Sequence, residues 1–119
     1  MRPDERDAAH LWDMLDAART VCEMAAGYQF QQYSRDRKLQ LAVERLVEII
    51  GEAARRVSQA FREAHPEIPW RGIIAQRHVL AHEYGEIRQE RMWGLAVRDI
   101  PQLIALLKPL VPPPGDGGD

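Results

Sequence analysis

Seven residues, Leu39, Val43, Leu46, Ile50, Ala53, Val57 and Ala60, follow one another at alternating steps of four and three. That spacing marks one face of an α-helix. It predicts a long helix starting with Ser34 as N-cap and running to about Ala64. A helix with a single apolar stripe must bury it against other elements. The opposite side carries Leu41, Arg45, Glu48, Glu52 and Arg55. It reads either as a solvated charged face or as a dimer surface.

The rest of the chain supplies the neighbours. Leu11, Leu15, Ala18, Cys22 and Ala25 step by four and three, predicting a first helix from about Asp4 to Gly27. Pro66 and Pro69 cannot sit inside a helix, so residues 65–69 form a loop. A short third helix starts near Trp70, with Ile73, Ile74, Arg77, Leu80, Ala81 and Tyr84 on a shared face, and Gly85 is a natural stop. The fourth pattern runs from about Arg88 to Val111, with Met92, Ala96, Ile100, Leu103, Leu107 and Leu110 inward. Pro101 lies within it and predicts a kink or two short helices, with Asp99 and Gln102 as a capping-box-like restart. Four amphipathic patterns with short connections imply an all-α, antiparallel bundle of four to five helices. Residues 1–111 read as one domain, and residues 112–119, PPPGDGGD with its leading proline, as a disordered tail.

Composition narrows the function classes. The chain has 119 residues, 45% apolar and 29% charged, an ordinary globular mix. No apolar run is long enough to span a bilayer, and MRPDERDAAH is too charged for a secretory signal. The single cysteine, Cys22, excludes an internal disulfide framework and suits a cytoplasmic setting; it is expected in the core. A net charge of −2 argues against a nucleic-acid binder that is basic over its whole surface. An RNA partner would need a local arginine cluster.

The chemistry concentrates in RHVLAHEYG, residues 77–85. Arg77 and His82 are five apart, so on an ideal helix they diverge by about 140°. A self-contained pair on one helix face does not follow. The long reach of arginine, a frayed last turn, or two motifs facing each other in a dimer would bring such groups into one cleft. A histidine in the last helical turn feels the negative dipole end, which favours its protonated form, while Arg77 opposes it. A pKa near neutrality suits general acid–base work, and arginine stabilises charge on a phosphate. The pair is sufficient for metal-free RNA cleavage, in which a base takes the 2′-OH proton and that oxygen attacks the adjacent phosphate. His78 and His82, four apart, could form half of a zinc site, but His10 and His65 lie in other segments and no second half is evident. No metal and no cofactor are expected. His78 also reads as a solvent-facing histidine, Tyr84 as a core-edge aromatic, Glu44 and Glu52 as structural partners for an arginine, and Trp12, Trp70 and Trp93 as packing residues.

Arg77, four residues, His82, one residue, Tyr84 resembles the R-x4-H-x-Y signature of HEPN domains of the HepT-like toxin type, with polar His78 after the arginine. VERLVEIIGEA (43–53), IPWRGIIAQRHVLAHEYGEI (68–87) and DIPQLIALL (99–107) are similar to that family's second helix, loop with third helix, and last helix. The resemblance spans roughly residues 8–110. It implies a dimer whose two motifs meet at a cleft between subunits. It also implies a metal-independent endoribonuclease with Arg77 and His82 as the catalytic pair, and with His78, Arg71 and Tyr84 binding substrate. Such a protein is the toxin component of a type VII-like toxin–antitoxin pair. The implied partner is a minimal nucleotidyltransferase antitoxin that silences it by adding AMP at Tyr84. The alternative is a non-catalytic helical module that binds a nucleotidyltransferase and helps present its substrate, with Arg77 only gripping phosphate.

Overall fold

The computed structural model describes residues 3–82 and 89–112, apart from the side chains of 77–82. Regular structure among them is entirely helical: α1 (Glu5–Ala25), α2 (Phe30–Tyr33), α3 (Arg37–Arg56), α4 (Gln59–Ala64), α5 (Trp70–His82), α6 (Gln89–Gly94), a π-helical turn (Leu95–Asp99) and α7 (Ile100–Leu107).

The apolar stripes explain the packing. Leu11, Met14, Leu15, Ala18 and Val21 of α1 are buried, as are Val43, Val47, Ile50 and Ala54 of α3 and Leu103 and Leu107 of α7. α1 packs on α3 and α7, and α3 packs on α5. Asp4 caps α1 by accepting the Asp7 N–H at 2.7 Å. Gly27, at φ 81°, turns the chain away after α1 in a conformation that disfavours other residues. Cys22, expected in the core, is half-buried at its edge, because Val21 takes the inward position. Burial pushes its thiol pKa up.

The long second helix differs from its prediction in two places. Ser34 does not start it. The tetrapeptide α2 precedes it, and Asp36 is the N-cap of α3, accepting from the Leu39 N–H at 3.0 Å. The helix also ends at Arg56 rather than Ala64, where Val57 turns extended and Ser58 caps α4. The break keeps Val57 buried and brings in Phe61, while Ala60 faces solvent.

The opposite face of α3 carries exposed Leu41 and charges paired within the helix. Arg45 lies 3.6 Å from Glu48, and Glu52 is bridged by Arg55 at 2.9 Å and Arg56 at 3.0 Å.

The last pattern is interrupted, as the proline requires, but not by a capping box. Asp99 makes no side-chain cap bond. Instead the chain widens into the π-helical turn, and the Ile100 N–H reaches the Leu95 carbonyl five residues back. In an unbroken α-helix the Pro101 ring would press on the carbonyl four residues earlier. The wider turn relieves that contact and keeps Ala96, Ile100 and Leu103 inward. Residues 113–119, most of the expected tail, lie outside the described residues.

Candidate functional site

The candidate site is built on α5, and its start is held firmly. Trp70, the first residue, is buried and donates its indole N–H to the His65 carbonyl at 2.9 Å. Phe61 of α4, fully buried, stacks on the His65 ring at 4.5 Å and meets Trp70 edge-on at 6.5 Å. Ile68 is buried between them in sequence, and Ile73 and Ile74 pack on the core from the first turns. The two prolines set the loop, and the aromatic trio sets the angle at which the helix leaves it.

From that start the helix carries its polar residues at fixed angular positions. At about 100° per residue, His78 and His82 each fall within about 20° of Arg71 around the axis, on either side of it. Arg77 lies about 120° from Arg71 and about 140° from His82, on the side of Ile73, one turn before it. Both members of the expected pair are in the helix, and the helix does not place them on one face. Arg71 is exposed in the first turn. The side chains of Arg77, His78 and His82, and all of Tyr84 and Gly85, lie outside the described residues.

Beyond the motif the chain is caught again at Gln89, the first residue of α6. The hydroxyl of fully buried Tyr33 donates to the Gln89 Oε1 at 2.9 Å, and the Gln89 Nε2 donates to Glu44 at 3.1 Å. Tyr33 also stacks against Trp93 at 5.1 Å, and Gln40 donates to its carbonyl at 2.9 Å. Burial, with the nearby Glu44 carboxylate second, pushes the Tyr33 phenol well above its ordinary value. This half-buried polar chain escaped the sequence reading. Tyr33 sits in a stretch without helical period, and Gln89 and Glu44 are ordinary surface residue types. Among the described residues Glu44 acts as a structural partner for the Gln89 amide.

An apolar cavity of about 350 Å³ opens between α3, α5 and the α6–α7 segment, walled by Val47, Ile50, Ile73 and Leu103 with Gln76 and Arg91 at its edge. Among the described residues, no group of three or more His, Cys, Asp or Glu could hold a metal ion. His65 is engaged by Glu67 at 3.0 Å.

Among the described residues the chain is all-helical, and the backbone of Arg77 and His82 lies in one short helix of that scaffold. The chain belongs to the HepT-like ribonuclease family, whose model matches residues 14–110. Relatives that carry ribonuclease names include the following three. A Methanocaldococcus jannaschii protein named as an RNase is 33% identical over 80% of this chain and 87% of its own length. A Thermococcus cleftensis protein named as a ribonuclease HepT is 36% identical over 79% and 86%, respectively. A Caldanaerobacter subterraneus protein named as an RNase is 31% identical over 86% and 91%. No solved structure matches the chain.

Proposed function

We propose that the protein is a metal-independent endoribonuclease and the toxin component of a type VII-like toxin–antitoxin pair. Arg77 binds the scissile phosphate and neutralises charge that develops on it. His82 takes the proton of the ribose 2′-OH, that oxygen attacks phosphorus, and the 5′-oxygen leaves with a proton, giving a 2′,3′-cyclic phosphate. The observation that carries this reading is the placement of both residues in α5 of a HepT-like ribonuclease chain. Their angular divergence of about 140° favours a cleft shared by two copies across a two-fold axis. His78 and Arg71 hold flanking phosphates. The partner is a minimal nucleotidyltransferase, which silences the site by adding AMP at Tyr84. The modification brings negative charge and bulk to where an RNA phosphate sits.

The test is RNA cleavage by the unmodified protein in EDTA, with the product ends identified by mass. A 2′,3′-cyclic end, lost in Arg77→Ala and His82→Ala, is expected together with growth arrest on expression. Intact RNA from a folded protein, with healthy cells, sinks the proposal. Co-expression with the nucleotidyltransferase is expected to add mass in AMP steps that disappear in Tyr84→Phe. A tight complex without added mass would replace modification by steric blocking.

A further inference from the structure

The α4–α5 corner carries an arginine that the catalytic reading does not use. Phe61, buried against His65 and Trp70, pins α4 to the start of α5. The next residue, Arg62, is thereby fixed beside Arg71. The two line an open groove of about 530 Å³ whose floor is Trp70 and Ile74. Gln59 and Glu63 stand on its rim, where the Gln59 Nε2 donates to the Glu63 carboxylate at 3.0 Å. The Arg62 Nε–H is fully buried and meets no acceptor among the described residues. A buried donor without an acceptor is costly, so no hydrogen bond at Nε holds the Arg62 guanidinium inward, and turning towards the groove lets it pair with an anionic oxygen.

The groove is collinear with the reactive helix face. Arg71, at its mouth, shares a sector of about 40° with His78 and His82, and His82 lies about 16 Å further along the axis. We propose that Arg62 and Arg71 form a phosphodiester subsite that takes the RNA backbone several nucleotides from the scissile bond and feeds the strand along α5 to His82. The inference rests on the reading of RNA as substrate and adds to it a second anchoring point. Two arginines over an apolar floor suit a single strand, whose phosphates pair with the guanidinium groups while a base lies on Ile74 and the Trp70 edge. Such contacts hold the strand in register and carry little sequence information.

The test is fluorescence anisotropy with a labelled single-stranded oligoribonucleotide of about twelve nucleotides, in the full chain carrying His82→Ala so that cleavage does not intervene. Arg62→Gln with Arg71→Gln is expected to weaken binding by about tenfold or more. It should also flatten the slope of log K against log salt by about 1.4, since each lost single-strand phosphate contact removes about 0.7. Arg71→Gln alone, a change at an exposed side chain that leaves the fold intact, is expected to remove about half of that slope. Arg62→Lys, which keeps the charge and loses the Nε–H, should fall between wild type and Arg62→Gln. Unchanged affinity and slope in the folded double variant overturn the proposal. Unchanged RNA binding with lost capture of the nucleotidyltransferase overturns it too, and makes the groove a protein contact. Binding is read without turnover, so a protein that binds RNA through these arginines yet cleaves none fails the catalytic reading alone.

Discussion

The carboxylate of Asp7, in the first turn of α1, accepts both the backbone N–H and the hydroxyl of Ser58, at 2.8 and 2.6 Å. Asp7 is buried, and Ser58 also caps α4 by accepting from the Phe61 N–H at 3.2 Å. One carboxylate thus fixes the break between α3 and α4, and through Phe61 the corner from which α5 departs. Asp7→Ala strands the half-buried N–H and hydroxyl of Ser58 and is expected to cost about 1–3 kcal/mol. Ser58→Ala, which loses the cap and one of the two bonds, should cost about 1–2 kcal/mol. Urea unfolding would show lower midpoints at unchanged slope. The double variant should cost less than the sum, because the two changes share one interaction.

This contact also shows where sequence reading stops. The four-three spacing runs through Val57 and Ala60 as though the helix continued, and only a residue 51 positions earlier ends it. Periodicity reports which side is apolar, so α1, α3 and α7 were legible in outline. It is blind to a polar contact between distant segments. The same blindness hides α2, whose four residues are held by reciprocal Gln29–Gln32 capping bonds and the burial of Tyr33. The helix that carries Arg71, Arg77, His78 and His82 was more legible, because the prolines and Trp70 announce its start. Their relative angles follow from helix geometry once that start is fixed. Its far support, Tyr33 to Gln89 to Glu44, joins three segments and left no local signal.

That support makes stability sensitive to alkali. The Tyr33 phenol has its folded pKa raised above the ordinary 10.0, burial being the larger cause and Glu44 the smaller. A group held protonated by folding stabilises the fold fully below its unfolded pKa. That contribution is lost as pH rises from about 10 towards the higher folded value. Stability measured by urea should therefore fall above about pH 10. Tyr33→Phe should be weaker at neutral pH by about 1 kcal/mol, from the lost bond to Gln89. It should also show a shallower alkaline decline. An equal decline in both proteins would remove Tyr33 as its source.

Trp70 combines two roles that substitution can separate. Trp70→Phe keeps an aromatic ring near Phe61 but removes the indole donor from the His65 carbonyl, which keeps the Ile68 N–H at 3.3 Å, at an expected cost of about 1 kcal/mol. The loss should concentrate at the start of α5. Amide exchange at Ile73 and Ile74 should therefore quicken more than exchange at Val43 and Val47 in α3. Uniform acceleration across both helices would assign Trp70 to general packing instead of to the helix start.

The separation of Arg77 and His82 around α5 leads to a test of how the proposed catalytic pair is assembled. If the pair forms across a two-fold axis, Arg77 of one copy works with His82 of the other. Arg77→Ala and His82→Ala are each expected to be inactive. In a mixed dimer, the Arg77→Ala copy still supplies His82 and the His82→Ala copy still supplies Arg77, so one complete pair forms across the interface. Equal mixing gives half mixed dimers with one of two sites intact, and should restore about one quarter of wild-type RNA cleavage. If the pair forms within one copy, every chain in the mixture lacks a member and no activity returns. The measurement is cleavage in EDTA after the two inactive variants are unfolded and refolded together. A mixture no more active than either parent, once mixed dimers are shown by mass, rules out assembly between copies.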